Sequence, residues 1–150
     1  QWLSPVRATT GQRTTGKAGR SGPAQTPAAK PRAYVSSDGL TILVGRNNRQ
    51  NDLLTMRIAQ THDIWLHARQ VPGAHVIIRR EAHATVPETT LVEAARLAAY
   101  WSRGRLAKRV SVDWTERRNV WKPRGARPGF VLYEGESTLV VEPAAAPSSS

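Results

Sequence analysis

Apolar positions first gather in short runs after residue 33. Residues 34–35 and 40–44 read as two strands around Ser36-Ser37-Asp38-Gly39, where Asp-Gly supplies the positive φ of a hairpin. Residues 63–67 and 74–78 alternate in character and predict two more strands, joined by a loop holding Pro72-Gly73. Strands are also expected over 110–114, 130–133 and 138–141, with Gly135 as a hairpin turn between the last two. Helical spacing occurs twice. Leu54 and Ile58 lie four apart in a helix over 52–60 that Asn51 would cap. Leu91, Ala94, Ala95, Ala98 and Trp101 form the apolar stripe of a helix over 91–103, with Thr90 and Glu93 in a capping-box pattern. Strands joined mostly by hairpins, with two interspersed helices, predict an α+β fold: one domain of about six mostly antiparallel strands, spanning residues 34–143. No internal repeat is visible.

Residues 1–33 follow no such pattern. They are rich in Gly, Pro, Ser and Thr, and carry Arg7, Arg13, Lys17, Arg20, Lys30 and Arg32 with no acid. Such a segment buries too little apolar surface to offset its ordering entropy, so a disordered basic linker is expected there, and a frayed tail over 144–150. The chain begins with Gln and no signal-like segment follows, so a piece of a longer chain is expected.

Charge adds direction. Twenty-two Lys+Arg stand against eleven Asp+Glu, giving +11, and the sequence pI is about 11.4. Eighteen of the cations are Arg, whose planar fork of donors matches phosphate and stacks on bases. This balance favours nucleic acid as a partner, although a solvated basic face is the plainer alternative. The absence of cysteine excludes disulfides and thiolate metal sites and is consistent with a reducing compartment. No apolar run is long enough for a membrane span, so no membrane partner is expected.

Three constellations could carry chemistry. The first is Arg46, Asn47, Asn48, Arg49 and Gln50, placed between an apolar strand and a helix start. Free backbone N–H groups there attract anions, an arginine could hold a phosphate, and the amides could read a base edge or a ribose hydroxyl. With one glycine and no GK[ST], the run is not a Walker loop. The second is Trp65, His67 and His75. Period-2 alternation puts them on one sheet face, where they could form a stacking platform for a base; a half-buried histidine pair beside a core Trp is the alternative. The third is the basic stretch 103–127, with Trp114 and Trp121 interleaved and the loop Lys122-Pro-Arg-Gly-Ala-Arg-Pro-Gly129. Here Lys122, Arg124 and Arg127 are the candidate phosphate contacts. Histidines 62, 67 and 75 with Asp63 lack metal-site spacing, so neither metal nor cofactor is expected. No arrangement of Asp52, Asp63, His67 and His75 is specific enough to assign catalysis, so the reading is non-enzymatic; an enzyme acting on RNA or nucleotides through these Asp and His residues is the alternative.

With these residues in view, the chain resembles the NFACT-R domain, the RNA-binding module of RqcH-type ribosome-quality-control factors, relatives of which carry an older fibronectin-binding name. The phrases DGLTILVGRNNRQNDLLT, DIWLHARQVPGAHVII, VPETTLVEAARLAAYWSR and VDWTERRNVWKPRGARPGFVLYEGESTLVVEP carry the resemblance across residues 37–143. It implies a C-terminal module of a larger cytoplasmic factor. The partners it implies are the obstructed large ribosomal subunit, rRNA, tRNA and the factor's other domains. The activity it implies is support for template-free C-terminal alanine tailing of stalled chains. The acidic-basic motif that the family uses on tRNA lies in another domain, so this chain alone should lack complete tailing activity. A surface adhesin is the weakest alternative.

Overall fold

The computed structural model of the chain describes residues 6–9 and 30–146. Its centre is a six-stranded antiparallel sheet in the order β2-β3-β5-β4-β6-β9, formed by β2 (Arg32–Val35), β3 (Thr41–Val44), β4 (Ile64–Ala68), β5 (Val76–Ile78), β6 (Val110–Glu116) and β9 (Ser137–Val141). A smaller sheet, in the order β1-β8-β7, contains β1 (Arg7–Ala8), β7 (Val120–Trp121) and β8 (Leu132–Tyr133). The helices are α1 (Asn48–Leu53), continued by a wider π-helical turn over Leu54–Ile58, and α2 (Glu88–Tyr100). This is the α+β class that the patterning predicts, with nine strands among the described residues where about six are expected.

Period-2 alternation makes two cores from one sheet. Ile42, Val44, Ile64, Leu66, Val76, Ile78 and Val112 bury one face against Ala94, Ala95, Leu97 and Ala98 of α2. The small alanine side chains let the helix approach the sheet closely. The opposite face contributes Trp65 and Ile77, which pack with Leu54 of the π turn and with Val120, Val131 and Tyr133. The domain is therefore three-layered: helix, main sheet, then the small sheet with α1 and its π turn.

Several expectations are corrected. Residues 1–33 are not wholly a linker: Arg7–Ala8 pair with Leu132–Tyr133, and β2 begins at Arg32. Thr9 fixes the first of these strands, its N–H donating to Val131 O and its hydroxyl to Gly129 O at 3.0 Å. Residues 1–5 and 10–29 lie outside the described residues, as do 147–150 of the expected tail. Ala144 donates its N–H to Arg96 O, so the tail's first residue is held against α2. Gly135 does turn the chain, with φ +69, but β8 and β9 belong to different sheets, so it marks a corner and not a hairpin. Helix α2 starts earlier than predicted and Pro87 occupies its N-cap. Thr90 and Glu93 instead face inward to hold the β2–β3 hairpin: the Thr90 hydroxyl lies 2.7 Å from Ser36 Oγ and donates to Asp38 Oδ2, while Glu93 accepts from Ser37 N at 2.8 Å.

His67 and His75 are fully buried between the sheets. Burial disfavours the charged imidazole and pushes the His67 pKa down to about 4; burial and the neighbouring His67 hold His75 well below its ordinary 6.5. An unfolded chain titrates both near 6.5, so between about pH 6.5 and 4 it binds more protons than the fold does. Stability contributed by these two residues should therefore fall as pH falls through that window. We expect the urea midpoint to drop from pH 7 to pH 5, with His67→Gln lowering the proton uptake on unfolding at pH 5 by about one. A pH-independent midpoint would contradict this reading.

Candidate nucleic-acid interface

The polar run after β3 folds through its own side chains. Gly45 has room for no Cβ, because one built there would stand 2.0 Å from Asn51 Oδ1. Asn47, not Asn51, is the N-cap of α1: its Oδ1 accepts from Gln50 N at 2.8 Å, and Gln50 Oε1 accepts in turn from Arg46 N at 2.7 Å. This reciprocal pair satisfies two N–H groups at the helix entrance, in the manner of a capping box. Asn51 is buried, and its Oδ1 accepts from His75 N at 3.1 Å. The run divides accordingly. Gln50 and Asn51 are buried structural ties, Asn47 is an exposed cap, and Arg46 and Arg49 are exposed, with Asn48 half-buried.

The base platform expected on the second sheet face is corrected by burial. Trp65, His67 and His75 do converge, with Trp65 and His67 stacked at 5.8 Å and His75 edge-on to both. All three are 0–1% exposed, beneath Tyr133, and no base reaches them. His75 is bonded on both ring nitrogens. Gly129 O, a carbonyl that can only accept, lies 3.2 Å from Nε2, which must therefore carry the proton. That leaves Nδ1 to accept from Trp65 Nε1 at 3.3 Å and from the Thr55 hydroxyl at 2.8 Å. Nearby, Tyr133 OH donates to the buried Asp113 at 2.7 Å, and burial with that bond holds the phenol well above its ordinary range.

Gly129 also organises the basic loop. With φ +87 it adopts a left-handed conformation that a side chain disfavours, and an added Cβ would stand 2.7 Å from Asn48 Oδ1. Its N–H donates to Asp52 Oδ1 at 3.0 Å. Lys122 is committed to the same assembly: Nζ donates to Arg127 O and Phe130 O and lies 3.2 Å from Asp52 Oδ2. Of the three loop cations singled out by sequence, Lys122 is thus a loop tie, while Arg124 and Arg127 are exposed. The Asp and His residues considered for catalysis do not share an open site. Asp52 serves the loop, the buried Asp63 accepts from Gln60 N and Arg80 N and pairs with Arg79, and the histidines are enclosed.

One open groove gathers arginines that sequence reasoning did not assemble. It runs from the entrance of α1 to the exit of α2, holds about 470 Å³, and is lined by Arg32, Arg46, Arg103 and Arg105 together with Asn47, Asn48, Tyr100 and Trp101. Its floor is firmly tied. Gly73 bridges Ser102, Ala74 N donates to Trp101 O, and Arg103 N donates to Pro72 O at 2.9 Å. Gly73 is required, since a Cβ there would stand 2.8 Å from Ser102 Cβ. Among the described residues no acid lines this groove. Six described cations outside it do sit beside carboxylates: Arg7 on Glu136, Arg69 on Asp113, Arg79 on Asp63, Arg80 and Arg118 on Glu116, Lys122 on Asp52. Asn48 lines the groove and also lies against Gly129, so groove and basic loop adjoin. Arg103 and Arg105 were visible as part of a cation run, but Arg32 fell in the supposed linker and Trp101 in a core stripe. Only the tertiary fold brings them together. Among the described residues no group of three or more metal-ligating side chains comes together, and no helix is long and apolar enough to cross a membrane.

Residues 30–139 match the family described as NFACT protein RNA binding domain. The chain is 51% identical over 110 residues to the Rqc2 homolog RqcH of Bacillus subtilis, covering 73% of this chain and 19% of that protein. It is 46% identical over 111 residues to the Streptococcus pneumoniae homolog of the same name, covering 73% and 20%. The human ribosome quality control complex subunit NEMF is 27% identical over 81 residues, covering 54% of this chain and 8% of that one. The solved C-terminal part of the fibronectin/fibrinogen-binding protein from Streptococcus suis aligns with a TM-score of 0.75 and 42% identity, over 79% of this chain and 47% of that chain. The chain thus spans about a fifth of the length of its bacterial relatives.

Stability should separate tie from surface within the polar run. Asn47→Ala removes a cap and should cost about 1 kcal/mol. Asn51→Ala strands the buried His75 N–H and should cost about 1–3 kcal/mol or more. Arg46→Ala and Arg49→Ala should leave the urea midpoint nearly unchanged. Arginine variants that unfold more readily than Asn51→Ala would reverse this assignment.

Proposed function

The chain belongs to the NFACT RNA-binding domain family of ribosome-quality-control factors, and from that premise we infer that its RNA surface is the acid-free arginine groove, extended by Arg124 and Arg127 of the adjoining loop. The observation that carries this reading is the gathering of charge: Arg32, Arg46, Arg103 and Arg105 line one groove without a carboxylate among the described residues, whereas Arg79, Arg80 and Arg118 each sit beside an acid. Phosphate is the anion that such a groove suits, because guanidinium forks bind it in two-pronged fashion.

The module serves a larger factor. It brings that factor to the obstructed large ribosomal subunit through rRNA or tRNA, in the cytoplasm, while the factor's other domains carry the remaining steps of alanine tailing. This chain supplies binding and positioning and performs no chemical step of its own. The names of the relatives support that setting, since they are ribosome quality control proteins. Enclosure of His67 and His75 counts against the enzyme alternative, because a general base must reach its substrate.

Salt dependence tests the surface. Each phosphate contact contributes about 0.7–0.9 to the slope of log affinity against log salt. The triple variant Arg46→Ala, Arg103→Ala, Arg105→Ala should flatten the slope by about 2 to 3 and weaken RNA binding. Lys122→Ala should change the melting temperature more than the slope. In the full-length factor, the triple variant should reduce co-sedimentation with obstructed large subunits. An unchanged slope would place the RNA surface elsewhere.

A further inference from the structure

Inside the groove, the guanidinium carbon of Arg32 lies 3.7 Å from the centre of the Trp101 ring. That is stacking distance, closer than an electrostatic attraction alone requires. Trp101 is itself held: its Nε1 donates to Tyr34 OH at 3.2 Å, and Tyr100 packs edge-on to it at 4.9 Å. Arg105 lies over the Tyr100 ring at 4.7 Å. Two aromatics, each carrying an arginine, therefore stand side by side at the exit of α2. Asn47 and Asn48 line the same groove, and no described acid does. Arg32 makes no ion pair with any described carboxylate, so no described acid competes for its donors.

We propose that this groove takes an unpaired RNA nucleotide, its base continuing the Trp101–Arg32 stack and its phosphates resting on Arg46, Arg103 and Arg105. The inference rests on the groove being the RNA surface and adds the class of RNA. A phosphate site needs charge alone. A planar cation laid on a half-buried ring adds a flat, sequence-tolerant platform, and guanidinium planes and aromatic rings are where splayed-out bases stack. Paired bases in an A-form duplex are already stacked on their neighbours, and the duplex offers chiefly phosphates and 2′-hydroxyls to the protein. Asn47 and Asn48 then offer side-chain amide donors toward the edge of the base, the Asn47 oxygen being taken by Gln50 N. The surface therefore favours a loop, a bulge or a single-stranded end over a helical stem.

The test uses the full 150-residue chain and three probes of equal strand length: a single-stranded RNA decamer, the same backbone with abasic positions throughout, and the decamer annealed to its complement. Affinities are compared at one salt concentration. One stacked base corresponds to about 5- to 150-fold in affinity, so the wild-type chain should prefer the base-bearing strand over the abasic one by an amount in that range. Arg32→Lys keeps the charge and removes the planar face; it should lose most of that preference and retain the salt slope. Arg32→Ala should lose both the preference and part of the slope. Trp101→Phe keeps a ring and should retain the preference in part, with thermal melting confirming that each variant is folded. Equal wild-type binding to the base-bearing and abasic strands, or tighter binding to the duplex, would overturn the proposal and leave the groove as a phosphate surface. A full preference in Arg32→Lys would also overturn it. If Arg32→Ala and the Arg46, Arg103, Arg105 triple variant bind every probe as the wild type does, the groove itself is not the RNA surface and the underlying reading falls with it.

Discussion

Three parts of the chain meet at the imidazole of His75. Its Nδ1 accepts from Thr55 in the π turn and from Trp65 on β4, its Nε2 donates to Gly129 at the end of the basic loop, and its backbone N–H is taken by Asn51 of α1. Each bond fixes an element that local sequence leaves free. Asn51 sets α1 against the sheet. Thr55 is within reach because the π turn widens the helix at that point, with Ala59 N bonding back to Leu54 O. Gly129 O also accepts from Thr9, which carries the constraint on to β1. Neutral imidazole is the form that permits this pattern, since a second ring proton would leave the Trp65 indole N–H, which can only donate, facing another donor. Burial enforces neutrality, and neutrality holds the assembly together.

Around that node the charges sort by surroundings. Carboxylates near the opposite end of the main sheet bind arginines: Asp63 takes Arg79, and Glu116 takes Arg80 and Arg118. Asp52, at the α1 end, is drawn to Lys122 and the Gly129 N–H. Beside the α1 entrance, by contrast, the groove arginines have no carboxylate partner among the described residues. Exposed ion pairs add little to stability, so their main consequence here lies in where they leave the field unbalanced.

Much of the architecture was legible because it rests on local periodicity. The strands around 40–44, 63–67, 74–78, 110–114 and 138–141 alternate, and a helix around 91–100 carries an alanine-rich stripe, so the α+β class follows from one-dimensional pattern. What escaped depends on distant partners. β1 is two residues long and owes its existence to β8, across more than a hundred positions of sequence. Thr90 and Glu93 look like caps, yet they are claimed by the β2–β3 hairpin, because a buried hydroxyl or carboxylate goes to whichever donors the fold delivers. Trp65, His67 and His75 were correctly placed on one face. Alternation cannot say that a second sheet covers that face, so a core was read as a surface. The candidate groove was legible only in halves. Arg46 to Asn48 stood out as a polar run, whereas Arg32 and Trp101 acquire meaning when the Gly73–Ser102 bridge brings the end of α2 beside the end of β3.

That bridge has a kinetic consequence. Because Gly73, Ala74 and Arg103 are tied by backbone hydrogen bonds across the groove floor, the two walls are set before any ligand arrives. A preformed site needs little backbone rearrangement on binding. Encounter with a polyanion is then governed by diffusion and long-range attraction, which vary little among ligands of equal charge. Discrimination among them falls to residence time, so related RNAs should differ in how slowly they leave the groove far more than in how fast they reach it.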